Sequence, residues 1–160
     1  MITTELREPD KFNQFKQVYY RSRGRVIRKA LIDQNNQIVK DYLYEYNDEN
    51  LIECIVLYAE DHLTIYGIKK YFYCENSTRI KTTEEYKFEK GLEIRTQKAE
   101  HVYNDDDKAC IVTLYGHSEE PVGYELYGYR SGDNFMSLLG CFNMKHEKVS
   151  CLGFKLEKLF

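Results

Sequence analysis

Apolar and polar side chains alternate with a period of two residues along most of the chain. Tyr42, Tyr44 and Tyr46, for example, fall on one face of such a segment. This period is typical of β-strands whose two faces differ in exposure. It predicts ten or eleven strands, near residues 15–20, 25–32, 38–46, 51–58, 63–73, 79–88, 92–103, 109–115, 122–129, 135–143 and 149–156.

Short polar segments separate these strands. Three examples are Arg-Ser-Arg-Gly at 21–24, Asn-Asp-Glu-Asn at 47–50 and Ser-Gly-Asp-Asn at 131–134. These residue types favour turns, so each strand is expected to pair with the next in antiparallel order. Because so many sequential strands do not stay in a flat open sheet, we predict an all-β, up-and-down antiparallel meander. A curled sheet and a closed barrel are both left open.

The domain prediction is a single domain over residues 1–160, with the β-meander over 15–160. At 160 residues the chain has the usual length of one domain. Residues 1–14 are assigned to an N-terminal lead. Phe12 and Phe15, three positions apart after Pro9, allow one short helix there.

A tyrosine-rich repeat runs along the chain. Segments 46–58 and 103–115 share the letters YND, CIV and LY in the same order. Weaker copies begin near residues 18, 71 and 127, and each unit is long enough for one hairpin and its return. The five anchor tyrosines lie 26, 27, 30 and 26 residues apart; they are Tyr20, Tyr46, Tyr73, Tyr103 and Tyr129.

The segments YEYNDENLIECI and GYRSGDNFMSLL resemble the tyrosine-aspartate (YD) repeats of Rhs-type proteins. That resemblance implies repeated β-hairpins. In length and acidity the chain is also similar to small bacterial immunity proteins, the cytosolic partners that neutralise toxins. This second resemblance implies binding to a toxin domain without catalysis.

Composition narrows the class of protein. The chain has 15 tyrosines, 8 phenylalanines, 2 prolines and a net charge of -3, which excludes a disordered chain. No apolar run approaches about 18 residues, so no membrane-spanning segment is expected. The first 30 residues carry a net charge of about +5 and the remainder about -8. Five cysteines without a CxxC motif, and no signal segment, favour reduced thiols and a cytoplasmic location.

No catalytic motif is present, and three kinds of candidate site remain weak. His62, His117 and His146 fall in turns at one end of the predicted meander but lack metal-ligand spacing. Carboxylates on strands and thiols at equivalent repeat positions are explained by solvent-facing alternation and by packing; they are Glu53, Glu84, Glu125, Cys54 and Cys110. We therefore predict no catalytic residue, no metal and no cofactor.

Charged turns point to a protein partner instead. Like charges held together destabilise a fold and attract an oppositely charged partner, and tyrosine is enriched at interfaces. The predicted partner-binding residues are Asp48, Glu49, Asp105, Asp106, Asp107, Tyr44, Tyr46 and Tyr103. The basic strip over residues 21–29 is interpreted first as a solvated strand edge whose charges discourage edge-to-edge pairing. Phosphate binding, with Tyr19 and Tyr20 available for stacking, is the alternative, although the acidity of the rest of the chain disfavours nucleic acid.

The sequence thus predicts a non-enzymatic protein-binding module. Its most concrete form is an immunity protein whose acidic turns occlude a basic toxin domain. The alternative is a calycin-like barrel that binds a small apolar ligand, because a barrel of about ten strands leaves an interior that side chains do not fill.

Overall fold

The computed structural model describes residues 2–7, 15–59, 61–105, 108–129 and 136–150, and these residues contain β-strands and no helix. The strands are β1 (Ile2–Arg7), β2 (Lys16–Ser22), β3 (Arg25–Ile32), β4 (Ile38–Tyr46), β5 (Ile52–Tyr58), β6 (Ile65–Tyr73), β7 (Ile80–Glu89), β8 (Leu92–Tyr103), β9 (Ala109–Tyr115), β10 (Pro121–Tyr129), β11 (Met136–Asn143) and β12 (Lys148–Val149).

Strand order in the sheet is the order of the chain, from β1 to β12. The pairs from β1–β2 to β5–β6 and from β7–β8 to β11–β12 are antiparallel. The predicted all-β, up-and-down meander is therefore confirmed. Among the described strands the order has two ends, so the closed-barrel alternative is not the arrangement found.

The N-terminal segment differs from the prediction. Ile2–Arg7 forms β1, where the sequence analysis placed only a lead, and it pairs with β2. Its side chains are mostly polar, so no alternation marks it, although Ile2, Thr3 and Thr4 are β-branched and suit a strand. The short helix suggested at Phe12 lies outside the described residues. The last predicted strand is described only at Lys148–Val149.

The chain divides into two compact units, Met1–Lys70 (unit 1) and Tyr71–Leu159 (unit 2), which are described separately. In unit 1 a cross-strand row joins Val18, Ala30 and Asp41, all of them buried. On the opposite face, Tyr42 is paired with Leu57, and both are buried. Both faces of the sheet in unit 1 therefore carry buried side chains.

Unit 2 has its own apolar centre. Ala99 on β8 is paired with Leu114 on β9, and these two cluster with Val112 under the half-buried ring of Tyr127. Thr96 is almost fully buried and donates a hydrogen bond to the Glu85 carbonyl oxygen, at the bulge between β7 and β8. Its hydroxyl thereby satisfies a buried backbone acceptor that the bulge would otherwise leave without a hydrogen bond.

The cysteines do not all share one oxidation state. Cys141 has no exposed surface and is disulfide-bonded, whereas Cys54, Cys74 and Cys110 are free thiols. The expectation of reduced thiols throughout is thus wrong at Cys141. Within the described part of the chain there is no helix with the length and apolar character needed to cross a membrane.

Candidate partner-binding site

The anchor tyrosine of β4 is fixed to the neighbouring strand. Tyr46 donates a hydrogen bond from Oη to the Val26 carbonyl oxygen at 2.7 Å. The Arg25 guanidinium lies 5.6 Å from the centre of the Tyr46 ring, a cation–π distance. Tyr46 thus contacts two consecutive residues at the start of β3, Arg25 through its ring and Val26 through its hydroxyl.

Unit 2 repeats this arrangement twice. Tyr103 donates to the Ile80 carbonyl oxygen at 2.7 Å, and Tyr129 donates to that of Ala109 at 2.9 Å. The residue before each acceptor is again basic and lies over the ring: Arg79 is 5.5 Å from the Tyr103 ring, and Lys108 is 5.0 Å from that of Tyr129. At these three anchors the sequence repeat is therefore a structural module in which the tyrosine ties the end of one strand to the start of the strand before it.

The asparagine that follows the anchor tyrosine closes the next turn. Asn47 accepts the Leu51 amide on Oδ1 at 2.9 Å and donates its own amide to the Leu51 carbonyl at 2.9 Å. Asn104 makes the same two bonds with Lys108, both at 2.9 Å. Asparagine is favoured in turns because its side chain bonds nearby backbone. In the YND motif, the tyrosine and the asparagine thus both have structural roles.

The acidic residues of these turns have no such role. Asp48, Glu49 and Asp105 are exposed, and none of them forms a hydrogen bond or an ion pair within the described residues. Asp106 and Asp107 lie outside the described residues. The structure therefore places two of the predicted acids together on the turn at 47–50 and a third on the equivalent turn of unit 2.

Acidic residues elsewhere are used by the fold. Asp61 accepts the amides of Leu63 and Thr64 and the Thr64 hydroxyl, and that hydroxyl bond is the main cause that lowers the Asp61 pKa to about 2. Glu100 accepts Lys98 at 2.8 Å and the Tyr115 hydroxyl at 2.7 Å, which lowers its pKa. The acids of the turns at 47–50 and 104–105 differ from these residues, because they have no such partner within the described residues.

The three tyrosines predicted to bind a partner, Tyr44, Tyr46 and Tyr103, are half-buried rather than exposed. The hydroxyls of Tyr46 and Tyr103 are bound to backbone carbonyls, as described above. Tyr44 lies between Tyr42 and Tyr46 on the same face of β4, and desolvation is the main cause that raises its pKa to about 12. Their role as partner contacts stays a prediction, and their first role is in the fold.

The weaker candidates are engaged in separate local contacts. His117 Nδ1 lies 2.7 Å from the Arg95 carbonyl oxygen, and His146 Nδ1 lies 3.0 Å from the Tyr124 hydroxyl. Glu125 accepts the Tyr127 hydroxyl at 2.6 Å. Desolvation, followed by the bond to Glu45, raises the Cys54 pKa to about 12, so this thiol is protonated at neutral pH. Among the described residues, no group of three potential ligands could hold a metal ion.

One cluster of charges was missed by the sequence analysis. Asp41 is only 5% exposed and accepts both Nε and Nη2 of Arg28, at 2.7 and 2.6 Å. His62 Nδ1 lies 3.4 Å from the same carboxylate. The bond to Asp41 is the main cause that raises the Arg28 pKa. The three residues come from separate segments, and a charged residue in the middle of a strand is the only local signal for the cluster.

In comparisons with known proteins, no family model matches the chain, and no curated protein does. The site is therefore interpreted from its geometry. Exposed carboxylates on turns that asparagine closes rigidly are suited to attract and orient cationic side chains of a partner.

Proposed function

We propose that the protein is a protein-binding module that recognises a partner with a basic surface through its acidic turns. One observation carries the proposal. In two copies of the YND motif the tyrosine and the asparagine are held in structural bonds, whereas the acid is exposed and has no partner in the described residues. Unpaired like charges on a closed turn cost stability and give steering toward a cationic surface.

The most concrete form of this proposal is an immunity protein that acts in the cytoplasm by occluding the active site of a basic toxin domain. Its size, its net charge of -3 and its exposed carboxylates on turns support this form. Asp48 and Glu49 would pair with lysine or arginine side chains of the toxin, and Asp105 is the equivalent acid on the turn of unit 2. Electrostatic complementarity of this kind raises the association rate more than it lowers the dissociation rate.

The direct test uses the product of the gene next to this one. Wild-type protein is expected to bind that product and to relieve its toxicity when the two are co-expressed. The charge variant Asp48→Asn/Glu49→Gln is expected to associate about tenfold more slowly at low salt, with a weaker dependence on ionic strength. Stopped-flow association at two salt concentrations measures both quantities.

A matched control separates the effect of losing the acidic turn from the effect of changing the net charge. Glu53 and Glu120 are also exposed, and the variant Glu53→Gln/Glu120→Gln changes the net charge by the same amount. It is expected to associate almost as fast as the wild type. If both variants slow association equally, the acidic turn is not the binding site. If the neighbouring product neither binds nor is neutralised, the immunity assignment is wrong.

The calycin-like alternative stays a prediction. It needs an enclosed apolar interior, whereas the described strand order has two ends. Two concavities in unit 1 combine polar with apolar side chains. One of about 330 Å³ is lined by Ser22, Arg23, Arg25, Ile27 and Tyr46, and one of about 470 Å³ by Gln37, Ile38, Val39 and His62.

A further inference from the structure

The turn between β2 and β3 forms a second charged feature, which the proposed function does not use. A concavity of about 330 Å³ opens there, lined by Ser22, Arg23, Arg25, Ile27 and Tyr46. It therefore combines two guanidinium groups and a hydroxyl with one aliphatic side chain and one aromatic ring. We call these five residues the basic tip.

The two arginines of the basic tip have no anionic partner. Neither Arg23 nor Arg25 forms an ion pair with any described carboxylate. The neighbouring arginines differ, because Arg21 Nε bonds Glu5 at 3.1 Å and Arg28 is bound to Asp41. The strip thus separates into paired arginines along the strands and unpaired arginines at the tip.

The basic tip lies on a tight turn. Arg23 and Gly24 both have positive φ, 49° and 81°, as a two-residue hairpin turn requires. Arginine is not favoured at such a position, where asparagine, aspartate or glycine is usual. The register between β2 and β3 shifts at Tyr20/Arg21, so that Ile27 lies at a bulge beside the turn. Bulges commonly redirect a side chain at the edge of a functional site.

Tyr46 fixes the second arginine. Its hydroxyl donates to the Val26 carbonyl oxygen, which orients the ring, and Arg25 lies over that ring at 5.6 Å. Desolvation raises the Tyr46 pKa, while the charges of Arg25 and Arg21 act in the opposite direction.

We propose that the basic tip binds the phosphate group of a small organic phosphomonoester. An arginine fork matches phosphate oxygens in bidentate fashion, and two forks with a hydroxyl donor suit a dianion with three terminal oxygens better than a carboxylate with two. Ile27 and the Tyr46 ring offer contact area to the organic group. The volume of about 330 Å³ lies at the lower end of the range for small-molecule sites.

The acids at the same end of unit 1 set a condition on this binding. Asp48 and Glu49 lie on the turn that follows Tyr46, and they form no ion pair with the tip arginines. Their charge opposes an incoming phosphate at longer range. The variant Asp48→Asn/Glu49→Gln is therefore expected to bind phosphate more tightly than the wild type at low salt.

The experiment is an NMR titration of the labelled full chain at constant ionic strength. The probes are inorganic phosphate and phenyl phosphate, with acetate as the carboxylate control. Saturable shifts are expected at Arg25 and Tyr46, with phenyl phosphate binding more tightly than inorganic phosphate and acetate more weakly than both. Equal binding of acetate would overturn the phosphate assignment. Equal binding of inorganic phosphate and phenyl phosphate would overturn the claim that the site also contacts the organic group.

Three variants locate the site. Arg23→Gln/Arg25→Gln is expected to weaken phosphate binding at least about tenfold, since hydrogen bonds to charged groups are lost. Arg25→Lys keeps the charge and the fold but loses the fork, so a smaller loss is expected. The control is Lys90→Gln, because Lys90 and Gly91 form a second turn with positive φ, 52° and 78°, in unit 2. Unchanged affinity in both arginine variants, or an equal loss with Lys90→Gln, contradicts the proposal.

Discussion

Two hairpin turns at the same end of unit 1 carry opposite charges. The turn between β2 and β3 presents the unpaired Arg23 and Arg25, and the turn between β4 and β5 presents the unpaired Asp48 and Glu49. Tyr46 is next to both turns. Its ring lies under Arg25, and its backbone continues directly into the acidic turn. The backbone of both turns is determined by uncharged groups, namely Gly24, the Tyr46 hydroxyl and Asn47.

The comparison separates charges that the fold uses from charges that it leaves exposed. Asp41 and Arg28, in the middle of β4 and β3, satisfy each other with two short hydrogen bonds. The charged residues of the two turns have no such partners within the described residues, although oppositely charged groups lie at the same end of the unit. Folding energetics accounts for the first set, whereas the second set is the one that we propose for recognition.

The largest effect is expected from the variant Asp41→Asn. It removes the charge that Arg28 and His62 face, and Asp41 is buried while Arg28 is only partly so. We expect the free energy of unfolding to fall by about 2–3 kcal/mol, below the range for a fully buried pair because water reaches Arg28. Urea denaturation followed by far-UV circular dichroism measures it. A loss below about 0.5 kcal/mol would place this pair with the exposed charges.

The sequence predicted the fold more completely than the site, for physical reasons. Alternation and turn chemistry are local, so ten of the twelve strands, β2 to β11, were placed near their observed positions. The strand predicted at 149–156 shares only Val149 with β12, and β1 was missed because its polar side chains give no pattern. The acidic turns were found because three aspartates in a row are visible as letters. By contrast, the Arg28–Asp41–His62 cluster depends on the pairing of Ala30 with Asp41, which is a long-range register.

The role of the tyrosines also depended on information that the sequence does not contain. Tyr46, Tyr103 and Tyr129 were recognised as repeat anchors, but their acceptors are backbone carbonyls 20 to 23 residues earlier. A carbonyl oxygen is the same at every position of a sequence. Only the strand register shows which one lies within reach of the phenol.

A smaller effect is expected from removal of the anchor hydroxyls. Tyr46→Phe and Tyr103→Phe each leave a backbone carbonyl without its hydrogen bond while keeping the ring under its cation. We expect each variant to lose about 1 kcal/mol of unfolding free energy. Tyr66→Phe is a matched control, since Tyr66 is 48% exposed. Equal losses of unfolding free energy in all three variants would show that the hydrogen bonds of Tyr46 and Tyr103 do not stabilise the fold specifically.

The most direct test of the account compares Asn47→Ala with Asp48→Asn/Glu49→Gln in urea denaturation. Asn47 closes the turn through its backbone and side-chain bonds with Leu51, so its variant is expected to lose about 1 kcal/mol. The charge variant is expected to stay within about 0.5 kcal/mol of the wild type, or to gain stability, because its carboxylates only repel each other. If the charge variant instead lost as much stability as Asn47→Ala, the acids would be part of the fold, and their assignment to partner recognition would be contradicted.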